Sequence, residues 1–220
     1  MERHFDQELQ ELNEEILKMG ACAEEAIYKS TAALMNRDRE LAESVINNDV
    51  TIDQLELVID EKCVDLIARY QPVAKDLRFI ATAMKINAGL ERIIDIAVDI
   101  AQRTLELIDK PLLKPLIDIP KLTAIAQHMV KTAIDSFITQ DIELAKKVLL
   151  SDSEADQLRN LIQQELIEDY MVKDGTTAPR AVQLLLIARF LERICDHATN
   201  IAEGVIYMVE AKVVKHQLIV

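Results

Sequence analysis

The chain is written twice, and this constrains its fold more than any single motif. Asp38, Leu41, Ala42, Val45, Asp49, Asp53, Gln54, Leu55 and Ile59 return 103 positions later as Asp141, Leu144, Ala145, Val148, Asp152, Asp156, Gln157, Leu158 and Ile162. A second block, Leu90-Glu91-Arg92-Ile93 with Asp95, Ala97, Ile100 and Ala101, returns 101 positions later as Leu191-Glu192-Arg193-Ile194 with Asp196, Ala198, Ile201 and Ala202. So many identities in one order at a nearly constant offset are hard to obtain by chance. The fall from 103 to 101 places a two-residue length change between the blocks.

Each copy reads as helix. Only 4 Gly and 5 Pro interrupt 220 residues, and the hydrophobic half of the chain is dominated by aliphatic residues, with 4% aromatics and no Trp. Such a composition favours helices around an aliphatic core. Leu9, Leu12, Ile16 and Met19, continued by Ala26 and Ile27, predict a first long helix ending near Met35. Asp38 suits the N-cap of a short helix to about Asn47. Asn47-Asn48 is a weak break, and a second long helix follows over 51–69. Gln71-Pro72 forces a turn, because the residue before proline avoids the helical region. The third helix spans 73–108. The segment 109–120 holds three of the five prolines and reads as a linker. In the second copy the turn is Lys173 to Pro179, with Pro179 in the first turn of the last helix and Thr177 or Ala178 near its cap. The predicted fold class is all-α: two pseudo-symmetric three-helix bundles, residues 1–109 and 121–220, joined by the linker 110–120.

The net charge of −13 bounds the partners. Nucleic acid is excluded, since its phosphates repel this surface, and the same repulsion disfavours free phosphate on exposed protein groups. Cations are drawn in. Cys22, Cys63 and Cys195 are far apart with no Cys-x-x-Cys spacing, so they read as buried free thiols of a cytoplasmic protein. The N-terminal residues Met1 to Asp6 hold no apolar signal core, and no segment approaches the ~20 apolar residues of a membrane span. Membrane contact is expected only through partners.

The acid is arranged in stripes. Asp49, Asp53, Glu56 and Asp60 share one face of the second long helix, and Glu91, Asp95 and Asp99 share one face of the third. The other copy has Asp152 with Asp156, and Glu192 with Asp196 followed by Asn200. Asp53 lies 19 residues before Pro72 and Glu91 lies 19 after it; Asp156 lies 19 before Gly175 and Glu192 lies 17 after it. Antiparallel hairpins therefore bring the stripes together: Asp49, Asp53, Glu91 and Asp95 in one copy, Asp152, Asp156, Glu192 and Asp196 in the other. A like-charged pair at about 4 Å costs on the order of 1–4 kcal/mol. Either the carboxyl pKa values rise or a cation sits among them. All-oxygen clusters suit hard ions such as Mg²⁺, Mn²⁺, Ca²⁺ or iron. The plain alternative is a solvated acidic face paired locally by Arg92 and Arg193. His197, beside Asp196, is a further candidate ligand or a polar neighbour. No Glu-x-x-His pair, Gly-rich phosphate loop or Gly-x-Ser-x-Gly is present, so a carboxylate-bridged metal oxidase or hydrolase is the rival reading and a non-enzymatic protein the preferred one.

Over nearly its whole length the sequence resembles the PhoU family, accessory proteins of the phosphate-specific transport system. The resemblance is carried by Phe5-Asp6-Gln7-Glu8-Leu9 leading to Met19-Gly20, by Gln71-Pro72-Val73-Ala74-Lys75-Asp76-Leu77-Arg78, by Leu90 to Asp95, and by Leu191 to Glu203 with its Glu-Arg-Ile-x-Asp-His-x-x-Asn-Ile signature. One departure is Ile94 and Cys195, where the family often has Gly. The resemblance implies multinuclear metal clusters, iron or zinc in some members, on the E/D-x-x-x-D motifs Asp49 with Asp53, Glu91 with Asp95, Asp152 with Asp156, and Glu192 with Asp196. It also implies repression of the phosphate-starvation response when phosphate is plentiful, by linking a phosphate ABC transporter, through its ATPase subunit, to a membrane sensor histidine kinase. A homodimer is the expected assembly.

Overall fold

The computed structural model describes residues 2–214, apart from the side chains of residues 2, 3 and 49–51. The first copy forms α1 (Glu2–Asn36), α2 (Arg39–Asn47), α3 (Asp49–Tyr70) and α4 (Ala74–Ile108). The second forms α5 (Asp118–Thr139), α6 (Ile142–Glu165) and α7 (Ala178–Glu210). No strand occurs among the described residues. In each copy an inner helix, a connecting outer helix and a second inner helix make an antiparallel three-helix bundle, so the all-α duplicated architecture is present.

The duplication is preserved in the backbone itself. Arg37 and Gln140, at matching positions, both take the left-handed conformation with φ of 55°. The chain then folds back, with Asp38 N–H donating to Ala33 O at 2.9 Å and Asp141 N–H to Ser136 O at 3.0 Å. Both aspartates are N-caps: Asp38 accepts from Leu41 N, and Asp141 from Glu143 N and Leu144 N. A side chain that satisfies these otherwise orphaned amides stabilises its helix by about 1 kcal/mol.

The outer helices differ. The first is broken at Asn48 into α2 and α3, as Asn47-Asn48 predicts, and α2 lies over its own small cluster of Ala33, Ala42, Val45, Val98 and Ala101. The second outer helix runs unbroken and closes in a wide π turn, Leu166–Met171, that has no counterpart in α3 and no signal in the sequence pattern. Helix α5 starts at Asp118, three residues before the predicted Lys121, with Pro120 accommodated in its first turn, where a missing N–H costs nothing. Thr177 is the N-cap residue of α7 and Pro179 sits in its first turn.

The two bundles share one core. Helix α4 lies along α7 and α1 along α5, and a single aliphatic cluster joins Ile16, Ile59 and Leu90 of the first copy to Met129, Ile187 and Leu191 of the second. Phe79 of α4 stacks on Phe137 of α5 with ring centroids 5.2 Å apart. At the α1–α5 crossing Gly20 marks a close approach: a Cβ there would stand 2.5 Å from Ile134 Cδ1, so the end of that side chain would have to shift. Cys63 and Cys195 are buried free thiols and Cys22 is partly buried; burial raises Cys63 to about 12 and pushes Cys195 further up. No helix among the described residues is long and apolar enough to cross a membrane.

Candidate functional site

The predicted convergence of the stripes is present as two seams, one between α3 and α4, the other between α6 and α7. In the first seam Glu56, flanked by Asp53 and Asp60 on its own helix, faces Glu91 and Asp95. Burial raises the Glu56 carboxyl, and Asp60, Asp53 and Asp95 push it in the same direction against Arg92. Glu91 is pushed up to about 7, by burial first and by Asp95 next. Arg92 reaches both carboxylates of its own helix, Nε to Glu91 at 3.5 Å and Nη1 to Asp95 at 3.0 Å. Its side chain is 64% exposed, so solvent weakens both contacts. One turn before Glu91 the fully buried Asn87 donates from Nδ2 to the Glu56 carbonyl at 2.9 Å and to Asp60 Oδ1 at 3.0 Å. Its Oδ1 is buried without a partner. The orphan atom of the first seam is therefore an acceptor, which a cation or a donor would satisfy. Asp99, a turn beyond Asp95, is partly buried. The side chain of Asp49 lies outside the described residues.

In the second seam Asp152 is raised by burial, then by Asp156, Asp196 and Glu192. Asp196 is raised by burial and Asp156, against Arg159 and Arg193. Here the guanidinium comes from the outer helix. Arg159 Nη2 lies 3.1 Å from Glu192 Oε1 and 3.7 Å from Asp156 Oδ1, and its side chain is only 26% exposed. Its Nε is buried without a partner. The orphan atom of this seam is a donor. Beside it opens a cavity of about 430 Å³ lined by Arg159, Gln163, Leu185, Arg189, Glu192, Arg193 and Asp196. Asn200 does not join this group: its amide donates to the Asp196 carbonyl at 2.9 Å, and it lines a different cavity of about 460 Å³ between α4 and α7 together with His197. Burial, Arg193 and Arg92 lower the His197 pKa, which keeps the ring neutral.

Among the described residues no three His, Cys, Asp or Glu groups converge closely enough to grip one ion. The donor chemistry separates the two seams nonetheless. The first offers five described carboxylates, an orphan amide oxygen and one exposed arginine, a set that fits a hard cation once Arg92 gives way. The second already holds a folded-in arginine between its carboxylates, and the atom it leaves unsatisfied is a donor; that set does not fit a cation. Sequence reasoning missed this divergence. Its signal was the 103-residue offset applied to the non-identical positions, which pairs Glu56 with Arg159 and Asp60 with Gln163.

A duplicated three-helix bundle with acidic seams along its outer hairpins defines the class: an all-α helical-bundle protein. The PhoU domain matches residues 16–104 and 119–205, one domain per copy, and the chain belongs to the PhoU family. It is 45% identical over 210 residues, 96% of this chain and 95% of the other, to the phosphate-specific transport system accessory protein PhoU homolog of Aquifex aeolicus. The crystal structure of PhoU from Pseudomonas aeruginosa superposes with a TM-score of 0.90 at 36% identity, covering 94% of this chain and all of that one. The phosphate transport system regulatory protein PhoU from Streptococcus pneumoniae superposes with a TM-score of 0.89 at 30% identity, covering 96% and 99% of the two chains.

Proposed function

We infer that this chain is an accessory regulator of phosphate uptake, a cytoplasmic adaptor without catalytic activity whose first acidic seam is ordered by a bound cation. The names of its relatives support the accessory role in phosphate transport. The partners are the ATPase subunit of the phosphate ABC transporter and a sensor histidine kinase, and the outcome of binding is repression of the starvation response when phosphate is plentiful. The adaptor works as a homodimer and meets the membrane through those partners.

The observation that carries the metal reading is the first seam, where Asp53, Glu56, Asp60, Glu91 and Asp95 crowd together with a single, solvent-exposed arginine as counter-ion. These residues would hold the ion, with Asp49 and Asp99 both at the end of the stripes away from the turn. Iron, manganese or magnesium suits this oxygen set, and zinc is the fourth choice. Bound there, the metal supplies positive charge that ties α3 to α4. The protein's own groups do the rest: α4 fixes Glu91 and Asp95 one turn apart, Asn87 anchors the outer helix at Asp60, and the shared core transmits the position of that hairpin to the second copy.

The test is a Glu91→Gln, Asp95→Asn double variant purified without an affinity tag. Bound metal should fall to background, and a phosphate-starvation reporter should switch on in phosphate-replete cells. Unchanged metal content together with unchanged repression would sink the reading.

A further inference from the structure

The two copies part company along the groove where α4 and α7 pack together. The 101-residue offset pairs Gly89 with Phe190 and Gly204 with Arg103. Both glycines line one cavity of about 460 Å³, while the two bulky side chains belong to the pseudo-twofold-related end of the groove. Glycine inside a helix costs about 1 kcal/mol relative to alanine. Packing does not demand it here: a Cβ on Gly89 would lie 3.6 Å from Ile201 Cγ1, and one on Gly204 3.4 Å from Thr82 Cγ2, both ordinary contacts. What the glycines supply is room. The lining differs in character as well, since Lys85 and His197 stand where the offset places Leu186 and Ile96. We propose that this cavity binds a free α-amino acid with a large apolar side chain. The proposal rests on neither acidic seam.

Two groups of opposite charge line the cavity from opposite helices, Lys85 from α4 and Glu203 from α7. Among the described residues neither forms an ion pair. Lys85 Nζ instead lies 5.9 Å from the centroid of the Tyr207 ring, a cation–π distance that keeps the ammonium at the cavity wall. A zwitterion suits both groups at once: its carboxylate accepts from Lys85, and its ammonium donates to Glu203. Hydrogen bonds in which both partners are ionised are the strong ones.

The apolar part of the ligand follows from the difference between the copies. Ile86, Ile201, Val213 and Val214 give the cavity an aliphatic wall. Relative to Phe190, Gly89 lacks a benzyl group, and the side chain of free phenylalanine is that group. A ligand carrying it fills, at one end of the groove, the volume that the protein fills for itself at the other. A purely anionic ligand would bring its charge to Glu203 with no donor to offer, and a purely cationic one would meet Lys85. A cavity of this volume between two repeats, mostly apolar with a few convergent polar groups, has the usual form of a small-molecule site.

The test is calorimetric titration of the full chain with L-phenylalanine, with phenylpropionate, which lacks the ammonium, and with phenethylamine, which lacks the carboxylate. L-Phenylalanine should bind at millimolar concentration or below. Each analogue should bind at least about fivefold more weakly, a modest factor because solvent softens charged contacts at a partly exposed site. Glu203→Gln should erase the preference over phenylpropionate, and Lys85→Met the preference over phenethylamine, while both variants melt as the parent does. Gly89→Leu, which fills the space, should abolish binding in a protein that still melts cooperatively. Absence of L-phenylalanine binding at millimolar concentration, equal affinity for the three probes, or preferences untouched by both charge variants would each overturn the proposal.

Discussion

Around the first seam stand Glu56, Asp60 and Asn87; at the matching places around the second stand Arg159, Gln163 and Ala188. The turns that lead into the two outer helices have diverged far less. Arg37 and Gln140 share a φ of 55°, and Asp38 and Asp141 cap their helices in the same way. The difference follows from what each part must satisfy. A left-handed residue followed by an N-cap has few solutions, because backbone amides that lose their partners cost energy at once. A seam at the surface has many solutions, provided its charges are balanced by something, and that something can be an ion in one copy and a side chain in the other. Duplication supplied two identical frames, and the seam walls were free to specialise.

The largest effect that can break this comparison concerns what the copies still share. Leu90 and Leu191 are both fully buried, at matching positions in one continuous core. Leu90→Ala and Leu191→Ala should each cost about 2–5 kcal/mol. Both variants should lose stability in a single transition followed by far-UV circular dichroism in denaturant. Two transitions, with only one moved by each substitution, would show that the copies unfold as separate domains and that the common core is not cooperative.

Next in size is the exchange of the seam walls. Arg159→Glu gives the second seam the residue of the first. It removes the counter-ion from Glu192 and adds a like charge, so a destabilisation of about 1–3 kcal/mol is expected. The reciprocal Glu56→Arg should leave stability unchanged or raise it, because it adds a counter-ion where carboxylates already repel. Thermal melts of the metal-free proteins measure both. Equal losses in the two variants would mean that the seams are electrostatically alike.

A smaller test addresses the frame. Asp38→Ala and Asp141→Ala should each lower stability by about 1 kcal/mol, the usual value of an N-cap aspartate. Asp141 accepts two amide bonds and Asp38 one, so the second substitution should cost somewhat more. A cost confined to one of them would show that the matched turns do not carry matched load.

Much of this was legible in the sequence, for identifiable reasons. Hairpin arithmetic brought the α3 stripe to the α4 stripe, with Glu56 rather than Asp53 the observed neighbour of Glu91, and Asp156 close to Glu192, because helices have a fixed rise and the turn at Pro72 or Gly175 fixes the origin. Asp38 and Asp141 announced themselves by preceding an apolar period. What stayed hidden was non-local or lay in what differs. The fusion of two bundles into one core depends on α4 meeting α7, and both helices are apolar enough to face either their own copy or the other. The π turn at 166–171 reflects a local adjustment of hydrogen bonding that no residue type signals. Asn200 continues the four-residue stripe of Glu192 and Asp196, yet it lines the other cavity, because a four-residue step drifts around a helix over two turns. Arg159 was overlooked because a repeat is recognised by its identities, while the specialisation of the copies sits in the mismatches.

The smallest effect is a slope of stability against pH, and it belongs to the first seam. Glu91 ionises near 4.5 in an ordinary setting and near 7 in the folded chain, because burial and Asp95 disfavour its charged form. Between those two values the native state holds more protons than the unfolded state, so stability falls as pH rises. The fall begins above about 4.5, is complete once pH passes about 7, and is softened by the solvent that reaches Arg92 and Asp95. In metal-free protein the melting temperature should therefore decline across this window, and Glu91→Gln, which cannot ionise, should flatten the decline. Asp152 and Asp196 of the second seam are also raised, but Arg159 and Arg193 oppose the shift at Asp196, so Asp196→Asn should alter the profile less. A steeper correction from Asp196→Asn than from Glu91→Gln would reverse the assignment of the uncompensated charge to the first copy.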